Sequence, residues 1–213
     1  MNYNLRQVVQ FAGAILFLLG PPLAGTSQDA GTNASAEAFT PESLFARGHY
    51  EAGLNNGVLF SPFLATGNRP TINYTYSGLQ LGYMLSDVKG DGWWRGNFEL
   101  AGEAFGSAVF EGQGTYIAGG TLWLRYNFVP RSSALVPYVQ AGAGAVSTDV
   151  DRDVVGQAFN FNLGVAVGVR YFIARNWSLS LEYRYQHISN ANTGPRNVGI
   201  NADGPILGIS YFF

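Results

Sequence analysis

QAFNFNLGVAVGVRYF, running from Gln157 to Phe172, places a large apolar side chain at every second position. Phe159, Phe161, Leu163, Val165, Val167, Val169 and Tyr171 share one face, while Asn160, Asn162, Gly164, Ala166, Gly168 and Arg170 share the other. Strict period-two alternation is the mark of a strand, because successive strand side chains point to opposite faces. Three further segments repeat it. Tyr116, Ala118, Gly120, Leu122, Leu124, Tyr126 and Phe128 oppose Thr121, Trp123, Arg125 and Asn127. Phe98, Leu100 and Ala104 oppose Arg95, Asn97, Glu99 and Glu103, and Trp177, Leu179, Leu181, Tyr183 and Tyr185 oppose Ser178, Ser180, Glu182, Arg184 and Gln186.

Counting outward from these gives about eight strands, at roughly 46–60, 72–86, 93–107, 115–129, 134–147, 157–173, 177–189 and 200–213. An even number of long strands, apolar on one face, predicts an all-β, eight-stranded antiparallel up-and-down transmembrane barrel over residues 44–213. A soluble lipocalin-like barrel or sandwich is the competing architecture, but two features oppose it. The polar face carries small residues and a balanced charge set, Glu51, Glu99, Glu103 and Glu182 against Arg95, Arg125, Arg170 and Arg184, which suits a narrow lumen. The chain also ends on Leu207, Ile209, Tyr211 and Phe213, an alternating strand with a terminal Phe, which resembles the signal read by barrel-assembly machinery. One segment breaks the pattern. Tyr74 and Tyr76 share one face whereas Leu79, Leu81 and Tyr83 share the other, which predicts a bulge near Gly78.

Composition narrows the function classes. Charged residues are 12% of the 213, about half the usual share, and aromatics are 15%, so the chain is not disordered. Net charge is −2 and Lys89 is the one lysine, which argues against a nucleic-acid partner. The absence of cysteine removes disulfides, thiolate metal sites and a cysteine nucleophile. No cluster of carboxylates and histidines at ligand spacing points to a metal, and no cofactor is implied.

Residues 1–24 read as a secretory signal peptide: Arg6 supplies the positive region, Val8 to Leu19 the apolar one, and Pro21-Pro22 break it. Ala34-Ser35-Ala36 makes cleavage as late as residue 36 an alternative. With both termini periplasmic, the turns near 87–92, 130–133 and 174–176 face the periplasm, and the longer connections near 61–71, 107–114, 148–156 and 190–199 face outside. The strand from Trp177 therefore runs outward and ends at the outer leaflet.

The chain has two histidines. His49 has the parity of Glu51 and is expected to point into the lumen as part of its hydrogen-bond network. His187 continues the lipid-facing series Trp177 to Tyr185, and Ser189 follows on the same face. At that spacing an imidazole nitrogen can serve as base to a hydroxyl, although headgroup-facing polar residues at a strand end would look the same.

The wider segment, His187-Ile188-Ser189-Asn190-Ala191-Asn192 followed by Asn197-Val198-Gly199-Ile200-Asn201 and the final strand, resembles the lipid A 3-O-deacylase (PagL) family. That resemblance implies an outer-membrane esterase that removes the 3-O-acyl chain of lipid A, with its site on the outer barrel wall facing the outer leaflet. It implies Ser189 as nucleophile and His187 as general base. The family's third position is Glu, where this chain has Asn201; Asp203, of the same parity, is the alternative orienter because Pro205 leaves the register open. Asn197 or backbone N–H groups of Asn190 to Gly194 are candidates for the oxyanion hole, and Arg196 for a lipid A phosphate. Partners would then be lipopolysaccharide, outer-membrane lipids and the assembly machinery; a homodimer and a phospholipid substrate stay open. A non-catalytic small barrel of the OmpA or OmpX type, serving adhesion or envelope integrity, explains the strands and lumen charges equally well. A passive pore fits less well, since eight strands leave little room inside.

Overall fold

A computed structural model describes residues 40–61 and 70–213; the expected signal peptide and the expected cleavage sites lie outside the described residues. Eight strands follow in chain order: β1 (Tyr50–Leu59), β2 (Asn73–Met84), β3 (Gly96–Glu111), β4 (Tyr116–Phe128), β5 (Leu135–Thr148), β6 (Phe159–Ala174), β7 (Trp177–Ser189) and β8 (Ile200–Phe212). Each pairs antiparallel with the next, and β8 closes on β1 to complete the barrel. Closure leaves no free sheet edge, which is what allows a sheet to span hydrocarbon.

The alternation of the sequence becomes the two faces of the wall. Leu79, Leu122 and Leu207 are each 64% exposed on the outside, while Glu99, Asn127 and Asn162 are fully buried inside. Tyr50, Tyr83, Trp177, Tyr211 and Phe213 gather at the end where β1 begins and β8 ends, with neighbouring rings 5.1 to 6.1 Å apart. Phe60, Phe110, Phe159 and Phe161 lie on the outside at the opposite end. Two aromatic girdles around an apolar band match a membrane barrel.

The interior is filled in three layers. In the middle, Arg125 reaches Glu99 at 3.0 Å, Arg170 reaches Glu51 at 2.7 Å, and Arg184 joins Glu182 at 2.6 Å to Glu103 at 2.9 Å. Arg95, expected among the strand charges, instead pairs with Glu42 at the mouth where β1 begins and β8 ends, because it precedes β3. There a 3-10 helix (Pro41–Phe45) inserts Phe45, fully buried, against Phe172 and Phe212. At the opposite mouth Tyr74, Tyr76, Ile117, Val154, Val155, Ile188 and Ile200 form an apolar cap.

The bulge expected near Gly78 is absent. Gly78 pairs regularly with Asn55 and Phe105, and the parity of β2 is unbroken. Tyr74 and Tyr76 point into the lumen: the Tyr74 hydroxyl donates to Gln186 at 2.8 Å, and the Tyr76 ring stacks on Phe105 at 4.8 Å. The apolar residues change face because the lumen has room for aromatic rings, not because the strand slips. The irregularity falls between Asn73 and Tyr74. His49 lies just before β1, half-buried, with Nδ1 3.1 Å from the Ala46 carbonyl oxygen in the entry turn. The second outer connection is shorter than expected because β3 continues to Glu111.

Candidate active site on the outer wall

The β7–β8 ladder pairs His187 with Asn201 and Ile188 with Ile200. Both isoleucines are buried in the apolar cap, so period two turns His187, Ser189 and Asn201 to the outside of the barrel. All three are half-buried. His187 Nε2 lies 3.0 Å from Ser189 Oγ, and Nδ1 lies 2.6 Å from Asn201 Oδ1. An amide oxygen only accepts, so Nδ1 carries the proton and donates it to Asn201. The Nε2 lone pair is then left to accept the Ser189 hydroxyl. Two hydrogen bonds thus link the three side chains in a relay of the kind in which a hydroxyl can act as nucleophile and an imidazole as its base.

Sequence reasoning brought these three together; the loop that holds them was not foreseen. Asn190, immediately after Ser189, is fully buried. Its Nδ2 donates to the carbonyl oxygens of Val155 at 3.0 Å and Arg196 at 2.6 Å, and its Oδ1 accepts from Asn192 N at 2.9 Å. Its own N–H donates to Asn197 Oδ1 at 3.1 Å. Thr193 N donates to Asn190 O at 3.0 Å, closing a turn whose central residues, Ala191 and Asn192, have φ of 52° and 63°. Two positive φ values make a type I′-like turn, costly for an Ala and sustained by the bonds around it. The signal for this in the sequence was three asparagines, Asn190, Asn192 and Asn197, in one loop; Asn readily bonds nearby backbone.

A short helix, α1 (Arg152–Val155), anchors the far side of that loop. Val154 O accepts from Val198 N at 3.1 Å and Gly199 N at 2.9 Å. Gly199 has φ +75°, and a Cβ there would come within 3.0 Å of Ile188 O and 3.4 Å of His187 Cε1, so glycine meets both a backbone and a space requirement. Val154 and Val155 are themselves buried in the barrel's outer cap, which ties the loop to the rigid wall.

The other anticipated residues fall into place around the relay. Asp203 does not reach His187: it pairs with Tyr185 and accepts a 2.8 Å bond from the Tyr183 hydroxyl. Asn197 donates through Nδ2 to Asn192 Oδ1 at 2.9 Å. Arg196 is exposed, with Nε 3.5 Å from Asp153. Across β6, Phe161 pairs with Ser189 and Leu163 with His187, an apolar strip beside the hydroxyl that the notation of catalytic residues alone does not reveal.

The profile of the family described as lipid A 3-O-deacylase (PagL) matches residues 48–210. No curated protein matches the chain. Among solved structures, the outer membrane enzyme PagL is 18% identical, with a TM-score of 0.52, covering 76% of this chain and 98% of that one. Neisserial surface protein A (NspA) is 19% identical with a TM-score of 0.57, covering 78% and 97%. The N-terminal β-barrel domain of Pseudomonas aeruginosa OprF is 17% identical with a TM-score of 0.51, covering 78% and 98%. At such identities the structural matches speak to the fold, an outer-membrane barrel shared by proteins of different roles. The family profile spans all eight strands, and on it the chain belongs to the lipid A 3-O-deacylase (PagL) family.

Proposed function

We propose that this barrel hydrolyses the ester-linked 3-O-acyl chain of lipid A, from an active site facing the outer leaflet. The observation that carries the reading is the Asn201–His187–Ser189 relay on the hydrocarbon-facing wall, at the outward end of β7. A lipid substrate needs its catalytic group there, since an acyl chain lying along the wall cannot enter the filled lumen.

Ser189 Oγ attacks the ester carbonyl while His187 Nε2 takes its proton. The tetrahedral intermediate collapses as His187 returns that proton to the departing sugar oxygen, leaving an acyl-serine. Water, deprotonated by His187, attacks the acyl carbonyl, and the proton goes back to Ser189 as the fatty acid leaves. Asn201 holds the imidazole in the tautomer this requires. For the oxyanion, the candidates are the second Nδ2 hydrogen of Asn197 and the Ala191 N–H, which has no acceptor among the described residues. Phe161 and Leu163 would lie beside the acyl chain, and exposed Arg196 would meet a phosphate.

The test is mass spectrometry of lipid A from a Gram-negative host expressing wild type or Ser189→Ala at matched folded levels. Loss of one hydroxyacyl chain with wild type, and none with Ser189→Ala, is the expected result. Unchanged lipid A in both would return the chain to the non-catalytic barrels.

A further inference from the structure

Asp203 sits where a carboxylate is costly. Parity places it on the hydrocarbon-facing side of β8 with Asn201 and Pro205, yet it is 2% exposed. Oδ1 accepts from the Tyr183 hydroxyl at 2.8 Å, and Oδ2 has no hydrogen-bond partner among the described residues. On the β1 side its backbone exchanges bonds of 2.8 and 3.0 Å with Phe60. An ionisable side chain at such a position points to a function, and the question is which charge it answers.

The ladder supplies a candidate. Asp203 pairs with Tyr185, and Asn201 with His187, so Asp203 is the next outward-facing residue along β8 from Asn201, about 7 Å away in strand rise. Asn201 can hold the histidine tautomer, but its neutral amide brings no charge to set against the imidazolium that forms as Ser189 attacks. Among the described residues, the titratable groups presented to Asp203 on that face are Tyr183, Tyr185 and His187 from β7. β1 presents Val58 and Phe60, while Glu182 and Arg184 lie on the lumen side. His187 is therefore the one group among them that becomes a cation. His187 and Asp203 are thus diagonal neighbours on paired strands, about 7–8 Å apart at the backbone, and over such a range, out of bulk water, a unit charge exerts a pull worth about a tenfold effect.

We propose that Asp203, held by Tyr183, is the counter-charge of the His187 imidazolium. It acts through His187 and touches neither the ester nor the reacting atoms, so it is a positioning residue. The inference rests on the deacylase reading above.

The test compares wild type, Asp203→Asn, Asn201→Glu and the double variant in lipopolysaccharide vesicles, measuring kcat, KM and the pH profile of acyl release. Asp203→Asn should lower kcat about tenfold with KM little changed. Losing an anion makes the imidazolium shed its proton more readily, so the acidic limb of kcat/KM should move down by about one pH unit. With Glu at 201 the histidine has its own carboxylate, and adding Asp203→Asn should then change little. An unmoved limb, or the same loss in both backgrounds, overturns the proposal. If Asp203→Asn does not fold, Asp203→Ser, smaller and uncharged, carries the same expectation and refutation. A folded wild type without activity at any pH overturns the deacylase reading instead.

Discussion

At the Nδ1 of a histidine, an amide oxygen and a carboxylate do different work: both fix the tautomer, but only the second carries charge. Asn201, 2.6 Å from Nδ1, is the amide case. Removing it as Asn201→Ala frees the imidazole to adopt the tautomer that cannot accept the Ser189 proton. Turnover should fall on the order of 10²-fold, within the range that a positioned general base contributes. Fatty-acid release from vesicles at matched folded protein measures it, and unchanged turnover would remove Asn201 from the relay. The outward placement of His187 and Ser189 was legible from parity, since both continue the series from Trp177, but parity fits headgroup-facing residues at a strand end equally well, and the resemblance of the wider segment is what singles out the pair. The Asn201 contact followed from assuming that it faces His187, which the ladder confirms. Asn190 was not legible. Its partners, Val155 and Arg196, belong to different loops, and no local spacing encodes that meeting. Nor could the sequence separate Asp203 from His187, because Pro205 left the pairing undetermined.

Among the elements, the outer connections interlock and so give a solvent-exposed loop the rigidity a catalytic turn needs. Asp149 is the clearest fastener. Its carboxylate accepts the Thr115 hydroxyl at 2.5 Å and the N–H groups of Thr115 and Tyr116 at 2.8 and 2.9 Å. Those bonds, the Thr115 hydroxyl foremost, hold its pKa down from 3.8 to about 2. Because the folded value lies below the ordinary one, the clamp contributes stability above about pH 4 and loses it as pH falls through about 2. Carboxyl NMR titration in micelles should give a midpoint near 2 for wild type and a higher one when Thr115→Ala removes the hydroxyl but leaves the two N–H donors. A wild-type midpoint near 4 would mean the fastener is open. Strand β2 shows where element-level reading fails. Tyr74 and Tyr76 fall on the face opposite Leu79 and Leu81 and so predict a slip of the strand, but a lumen rich in guanidinium groups accepts them without one: Arg184 lies 4.7 Å from the Tyr76 ring.

For the molecule as a whole, the lumen is a sealed ionic core between two apolar stoppers. Glu51 serves Arg170 at 2.7 Å, Arg125 at 3.4 Å, and hydroxyl and amide donors from Ser210 and Gln80. Glu51→Ala would strand buried guanidinium charge and should destabilise the barrel by about 3–5 kcal/mol. Urea unfolding in vesicles, followed by the gel mobility of the folded form, reads this; a loss below 1 kcal/mol would mean that water replaces the carboxylate. The same filling makes the barrel a scaffold rather than a passage, and it moves all proposed chemistry to the outer surface. On the proposed reading Ser189 opens sideways onto the leaflet, and its reaction is two-dimensional. The substrate never dissolves: it drifts in by lateral diffusion, and the quantity that saturates the enzyme is its mole fraction among neighbouring lipids. Inert amphiphile would slow the reaction by surface dilution alone, and a tightly packed leaflet would hide the bond from an enzyme already embedded beside it.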